Sequence, residues 1–272
     1  MEPFQLEKAE NGAWYFSIPE FEKHGNIKAF FTTRVGGVSQ GELSTLNFGG
    51  YTSDAPERVR ENRRRVYEAN GLSDVTEGFV RQIHGDHVCC IQSRDILEEE
   101  DLTINNADGI TTNLENMLLM TLHADCLPLF FLDTVKRVIG VSHAGWRGTV
   151  KQIGPKTIEK MNREFGSEPK DIIAAVGPGI SLCCFEVGPE VYEAFQQTFD
   201  RIDECSHRKE DGKYMLDLKK VNEIQLLEAG AGKVLVSGYC TKCDENLFFS
   251  HRRDHGRTGR MGAGIVIKRE NK

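Results

Sequence analysis

Three short segments combine histidine or cysteine with small neighbours and an apolar run before them. They are Arg81–His87 (RQIHGDH), Leu122–Pro128 (LHADCLP) and Val141–Thr149 (VSHAGWRGT). Imidazole nitrogen and thiolate sulfur are the ligands Zn²⁺ takes, and three protein ligands with an open fourth position mark a catalytic site. One His or Cys from each segment gives that count. Water on such an ion has a pKa near ~7 and supplies hydroxide at neutral pH. Spacing leaves alternatives open: His87 competes with His84, and His123 lies three residues from Cys126.

The elements that must position these residues read as short apolar strands bounded by turn residues: 29–33, 79–83, 117–122, 128–132, 138–142, 172–176, 234–237 and 264–267. Helical spacing covers 55–70, with Asp54 as N-cap and a stop at Asn70-Gly71, and also 149–165, 189–199 and 218–229. Pro189 suits the first turn of its helix. Strands between 79 and 142 follow too closely for crossover helices, so that part should be antiparallel or mixed. Strand ends then bring the three segments to one rim. The expected architecture is a single α/β domain of the α+β type spanning 1–272, with layered mixed β-sheets flanked by helices.

Composition narrows the partners. The chain has 272 residues, 27 Gly, 8 Pro and a formal net charge of −7. A negative total weighs against nucleic acid or a membrane surface as partner, since both call for a basic field. Arg63-Arg64-Arg65 falls in a helical pattern and reads as a solvated face; Arg252-Arg253 follows an apolar run. Met1-Glu2-Pro3-Phe4 does not open a signal peptide, and the apolar runs fall short of the roughly 20 residues of a membrane span. The expected location is cytoplasmic, where eight cysteines would be reduced thiols.

Other motifs read as bland. Cys240-Thr241-Lys242-Cys243 has metal-knuckle spacing, but its one dense companion is Cys183-Cys184, and adjacent cysteines rarely ligate one ion together; no second zinc is expected. Tyr239 precedes Cys240 and no His-x-Glu occurs, which disfavours the cytidine-deaminase class. Gly177-Pro178-Gly179 lacks the rest of a dinucleotide fingerprint.

The segments Phe31–Ser39, Gln82–Gly85, His123–Pro128, His143–Gly148, Gly177–Ile180, Phe249–Asp254 and Thr258–Arg260 resemble the YfiH/YlmD family, bacterial relatives of the laccase-domain-containing protein. The likeness runs in family order from about Lys28 to Lys268. It implies a zinc site from His84, Cys126 and His143, and a fold of packed mixed sheets related to the CNF-toxin-type cysteine hydrolases. It also implies phosphorolysis of adenosine, inosine and methylthioadenosine, with hydrolytic deamination of adenosine. His251 stands where the family has an aromatic residue such as Tyr at least as often, so it receives no role.

These reactions define further candidates. Deamination requires proton delivery to the departing amine, and Asp125 or Asp86 could carry it; Asp125 reads equally well as an acceptor for backbone N–H groups. Phosphorolysis requires a held phosphate dianion, which Arg grips through paired hydrogen bonds. Arg34, Arg81, Arg147 and Arg252 flank the motifs. Alternatives are a metal-free cysteine hydrolase with Cys126 as nucleophile and His143 as base, and, from the resemblance, a zinc amidase editing peptidoglycan precursors. The family's polyphenol-oxidase label is disfavoured because none of the eight histidines forms a His-x-His pair. Cu²⁺ outcompetes Zn²⁺ at many N/S sites, so copper loading in vitro is compatible with the ligand set.

Overall fold

The computed structural model describes residues 2–93 and 102–269. The strands are β1 (Gln5–Lys8), β2 (Trp14–Ser17), β3 (Ile27–Thr32), β4 (Thr76–Arg81), β5 (Val88–Ile91), β6 (Leu102–Asn105), β7 (Gly109–Thr112), β8 (Met117–His123), β9 (Leu127–Asp133), β10 (Val138–Ala144), β11 (Ile172–Val176), β12 (Glu186–Val187), β13 (Ser206–Arg208), β14 (Tyr214–Leu216), β15 (Lys233–Val236) and β16 (Met261–Ile267). The helices are α1 (Pro19–Glu22), α2 (Pro56–Ala69), α3 (Trp146–Val150), α4 (Ile153–Phe165), α5 (Pro189–Gln196) and α6 (Leu218–Glu228).

Two mixed sheets pack face to face between helices. One has the order β1-β2-β3-β16-β8-β4-β6, the other β15-β11-β9-β10-β7-β5. Strands β9, β10 and β16 are buried at every position. Both faces of these strands are covered, so they read as continuous apolar runs without alternation. Between the sheets, Phe31, Leu119 and Ile265 meet Phe130, Ile139 and Ala175. Each such fully buried side chain contributes about 1.5–3 kcal/mol through apolar area removed from water. The outer face of the second sheet packs Leu129, Phe131 and Ala174 against Ile158, Val221 and Ile224 of the helices. The outer face of the first carries α2, whose Val59, Asn62, Val66 and Tyr67 form the buried stripe. Arg63, Arg64 and Arg65 lie off that stripe and pair with Glu77, Glu61 and Glu68.

The expected run 149–165 is two helices, broken at Gln152, which is left-handed with φ 62°. Pro155 explains the break. It has no N–H for a continuous helix, but it fits the first turn of a new one. The N-cap of α2 is Ala55 rather than Asp54; the Asp54 carboxylate accepts instead from Ser39, Asn47 and the Ala55 N–H. The expected mixture over 79–142 is present, with β4–β8 and β5–β7 parallel and β9–β10 antiparallel. Among the described residues, no helix is long and apolar enough to cross a membrane.

Candidate metal centre

The centre forms where the chain passes from one large sheet to the other. Strand β8 ends in the first sheet at His123 and β9 starts in the second at Leu127, so Cys126 sits on the crossover. Strand β4 ends in the first sheet at Arg81 and β5 starts in the second at Val88, so His84 sits on another. His143 is the penultimate residue of β10, paired with Pro128. The two crossovers turn sharply at His84 (φ 59°) and Asp125 (φ 83°). His and Asp enter the left-handed region more readily than most residues.

One ligand atom from each of His84, Cys126 and His143 lies within 4.8 Å of the other two. The His84 and His143 rings stand edge to face, with centroids 4.8 Å apart. His143 is buried, Cys126 half-buried and His84 exposed, so the group opens outward on the His84 side. A Cβ at Gly145 would come within 3.0 Å of the Cys126 Sγ and 3.1 Å of the His84 ring, so a larger residue there would crowd both ligands. Two imidazoles and one thiol match the donor preference of Zn²⁺, and a three-residue set leaves a coordination position for solvent or reactant. The residues therefore fit a single catalytic zinc ion.

Asp108, which the sequence reading did not single out, organises the group. Its carboxylate accepts the Nδ1–H of His143 at 2.9 Å and the backbone N–H groups of Ile83, His84 and Gly85 at 3.1, 3.0 and 2.7 Å. Its own carbonyl accepts the His143 N–H at 2.7 Å. One side chain thus fixes the His143 ring, presenting Nε2 to the centre, and also the loop that carries His84. Burial disfavours the Asp108 carboxylate charge, but His143 and these N–H groups outweigh it and hold the pKa below the usual range.

Cys126 and His143 perturb one another. Burial alone pushes the thiol up, yet the facing His143 and His84 bring it down to about 6. Burial alone pushes imidazolium down, yet the thiolate and Asp108 raise His143 to about 9. Each group thus favours the charged form of the other.

The structure separates the competing residues. Both ring nitrogens of His123 are engaged, with Thr121 Oγ1 at 2.8 Å and the Cys126 carbonyl at 3.1 Å. Burial drives its pKa well below 6.5. It is a neutral core histidine that shapes the Cys126 turn. His87 is exposed and outside the ligand group. Asp125 is buried, and its carboxylate accepts from the Thr241 hydroxyl (2.7 Å), the Ser250 hydroxyl (3.0 Å) and the Arg252 N–H (2.7 Å). These three contacts brace the Thr241, Ser250 and Arg252 segments against the Cys126 turn. Asp86 is tied to Lys156, which lowers its pKa.

Of the arginines named from sequence, Arg34 is a brace: it donates to the Ser44 carbonyl at 3.1 and 3.0 Å and to that of Glu245 at 3.3 Å. Arg252 donates to the Glu186 carbonyl at 2.7 Å. Arg81 and Arg147 are exposed, Arg147 lying over its neighbour Trp146. Arg260, which no reading had picked, carries a largely buried charge felt by Cys126 and Asp125. Burial lowers its pKa against their opposing pull. Its position in Thr258-Gly259-Arg260 was visible, but nothing local tied it to a segment more than a hundred residues away. Cavities of about 380 and 630 Å³ lie elsewhere, lined by residues such as Thr198 and Arg201, and Arg60 and Tyr67. Neither contains a residue of the trio, so ligand geometry rather than cavity size identifies the site.

Residues 28–268 match the family described as multi-copper polyphenol oxidoreductase laccase. The chain is 38% identical to the purine nucleoside phosphorylase YlmD of Bacillus subtilis (strain 168), over 91% of each chain. It is 34% identical to adenosine deaminase RL5 from an unknown prokaryotic organism, covering 89% of this chain and 94% of that protein. Among solved structures, the Bacillus licheniformis hypothetical protein YfiH superposes with a TM-score of 0.90 at 34% identity, covering 98% of this chain and 100% of the other. With sheets, site and sequence in agreement along nearly its whole length, the chain belongs to this laccase-like family, that of YlmD and YfiH.

Proposed function

We propose that the chain is a zinc-dependent purine nucleoside enzyme. It would cleave adenosine, inosine and methylthioadenosine with phosphate to the free base and (methylthio)ribose 1-phosphate, and hydrolyse adenosine to inosine and ammonia. The carrying observation is the His84–Cys126–His143 group with His143 oriented by a buried carboxylate. The relatives named purine nucleoside phosphorylase and adenosine deaminase support the substrate class.

His84, Cys126 and His143 hold the ion, which supplies a Lewis acid able to activate water and polarise an oxygen or nitrogen of the substrate. Asp108 keeps the His143 Nδ1 protonated, so that Nε2 is the lone-pair nitrogen, and strengthens it as a donor. In phosphorolysis the C1′–N9 bond breaks while a C1′–O bond to phosphate forms. Arg260, the buried cation near the thiolate, and the exposed guanidiniums of Arg81 and Arg147 are assigned to the phosphate charge. The Arg252 N–H and Arg34 hold the walls in place through Asp125 and Ser44. Zinc is assigned in place of the several coppers of a laccase because this centre offers a single three-ligand N₂S set among the described residues and the sequence has no His-x-His pair.

A second reading has one observation in its favour. Cys126, His143 and Asp108 form a thiolate, imidazolium and carboxylate in series, the order of a cysteine hydrolase. His84 tells against it: a nucleophilic thiol needs one imidazole base, whereas a second imidazole aimed at the same sulfur suits a metal.

Metal analysis of the purified protein, paired with assay of adenosine plus phosphate resolving adenine, inosine and hypoxanthine, tests both. Cys126→Ala and His84→Ala should lose the centre's zinc and both activities. Full activity without metal in either variant would end the zinc reading. Full activity of wild type with the His84–Cys126–His143 centre empty of metal, abolished by alkylation of Cys126, would favour the hydrolase.

A further inference from the structure

Four cysteines that the first site does not use converge in two turns, one of which carries Thr241, a donor to Asp125. The sulfurs of Cys183, Cys184, Cys240 and Cys243 all lie within 4.8 Å of one another. Cys184 and Cys243 are 3.3 Å apart, Cys183 and Cys243 3.5 Å, and Cys183 and Cys184 3.7 Å. A tetrahedron with Zn–S bonds of about 2.3 Å has edges of about 3.8 Å. The observed separations are near that edge and far beyond the roughly 2.05 Å of a disulfide.

The backbone explains how adjacent cysteines face one centre. Cys184 and Phe185 both donate their N–H to the Ser181 carbonyl, at 2.9 and 3.0 Å, winding the chain into a tight turn. The partner turn is closed by the Asp244 N–H to the Cys240 carbonyl at 3.0 Å and by the Asp244 carboxylate accepting the Cys240 N–H at 3.1 Å.

A cation stands ready for the charge that four thiolates would carry. Lys219 is 5% exposed, and its ammonium donates to the carbonyls of Ser237 and Tyr239. It forms no ion pair with a carboxylate among the described residues; Cys240, Asp217, Glu2 and Cys183 all support its charge against the burial that lowers its pKa. An ammonium so buried is costly unless a negative group faces it. Four thiolates around one divalent cation carry a net charge of −2, and Lys219 offsets part of it.

We propose that Cys183, Cys184, Cys240 and Cys243 bind a second zinc ion in a closed, four-sulfur structural site. One ion replaces the thiol protons, which leave to solvent; nothing is oxidised or reduced. No position is left for a reactant, which is the mark of a structural rather than catalytic centre. The site clamps the loop after β11 to the turn after β15. Thr241, within that turn, donates to Asp125 beside Cys126, so the clamp also steadies one wall of the first centre.

The test is metal stoichiometry on the full chain purified under reducing conditions. Wild type should carry two zinc ions per chain. His84→Ala should keep one, and Cys243→Ser should keep one, the survivor differing in its ligands. Cobalt substitution distinguishes them, because four sulfurs give far stronger sulfur-to-metal charge-transfer absorption than one. Should Cys243→Ser fail to fold, wild type alone decides: alkylation of Cys183 and Cys243 should be slow until a chelator removes the second ion. One zinc per chain that vanishes entirely in His84→Ala, fast alkylation of these cysteines without metal release, or a disulfide among them in the reduced preparation would each overturn the proposal.

Discussion

The Asp108 carboxylate accepts the Nδ1–H of His143 at 2.9 Å while the same oxygen accepts the His84 N–H at 3.0 Å. Two residues of the metal group are therefore indexed to one carboxylate. Asp108→Asn would keep the shape but turn an NH₂ toward donors whichever way the amide sits, leaving N–H groups without partners. Replacing such an outer partner typically costs about 10–100-fold in metal affinity or activity. We expect that loss in zinc affinity, with a stability loss of about 1–3 kcal/mol from the unsatisfied donors. A variant that is destabilised but binds zinc as tightly as wild type would show that Asp108 is only a loop anchor.

Zinc uptake should release protons in a defined number. At neutral pH Cys126, lowered to about 6, is already thiolate, whereas His143, raised to about 9, is still protonated. Ligation requires neutral imidazole, so filling the centre at pH 7 should release about one proton per ion. Calorimetry in buffers of different ionisation enthalpy measures it, using Cys243→Ser so that only the first centre is filled. Release of about two protons would mean that the thiol is not preionised.

The same pair sets a pH window for the metal-free fold. The His143 pKa is raised from 6.5, so its contribution is complete below 6.5 and lost as pH climbs through about 9. The Cys126 pKa is lowered from 9.0, so its contribution is complete above 9.0 and lost as pH falls through about 6. The ion pair exists between those limits. The difference in thermal stability between metal-free wild type and Cys126→Ser should be largest there and shrink on both sides. A flat difference across the range would rule the pair out.

His84 and His123 should respond in opposite ways. His84 is exposed, and its ring serves only the metal group, so His84→Ala should lose that zinc with little change in the melting temperature of the metal-free protein. His123 is buried against Thr121 and the Cys126 carbonyl. His123→Ala should leave a cavity and unpaired polar groups, and unfold at lower temperature, with metal capacity kept while folded. Loss of the zinc in His123→Ala without loss of stability would reverse the two assignments.

How far the sequence reached follows from what kind of signal each residue carries. Buried strands such as β9 and β10 were legible because apolar runs between turn residues have few other uses. The short edge strands β1, β5 and β6 are not legible, since four residues are too few to show a period. His84, Cys126 and His143 stood out by type and by family likeness. Asp108 did not, because an aspartate in an ordinary turn gives no hint that four donors will point at it. The four-cysteine cluster was set aside because adjacency looked unfavourable; only the turn at Ser181 shows how Cys183 and Cys184 face the same way. Asp125 stands between two roles in the sequence, and nothing local shows that donors from Thr241, Ser250 and Arg252 will meet its carboxylate.

Arg260 separates the two proposed reactions. Its charge is largely buried beside Cys126, and its guanidinium donates to the Thr258 and Gly259 carbonyls at 2.7 and 3.0 Å, which fixes its direction. Phosphorolysis consumes a dianion and deamination does not, so a guanidinium serving the anion should matter to one alone. Arg260→Lys keeps the charge but loses the planar fork that grips two phosphate oxygens. Charge-assisted hydrogen bonds of this kind are worth about 1.5–3 kcal/mol. That corresponds to a rise of about 10- to 150-fold in the KM for phosphate, with adenosine deamination measured without phosphate nearly unchanged. Equal loss of both activities would mean that Arg260 supports the metal loop instead, and that the phosphate sits against Arg81 or Arg147.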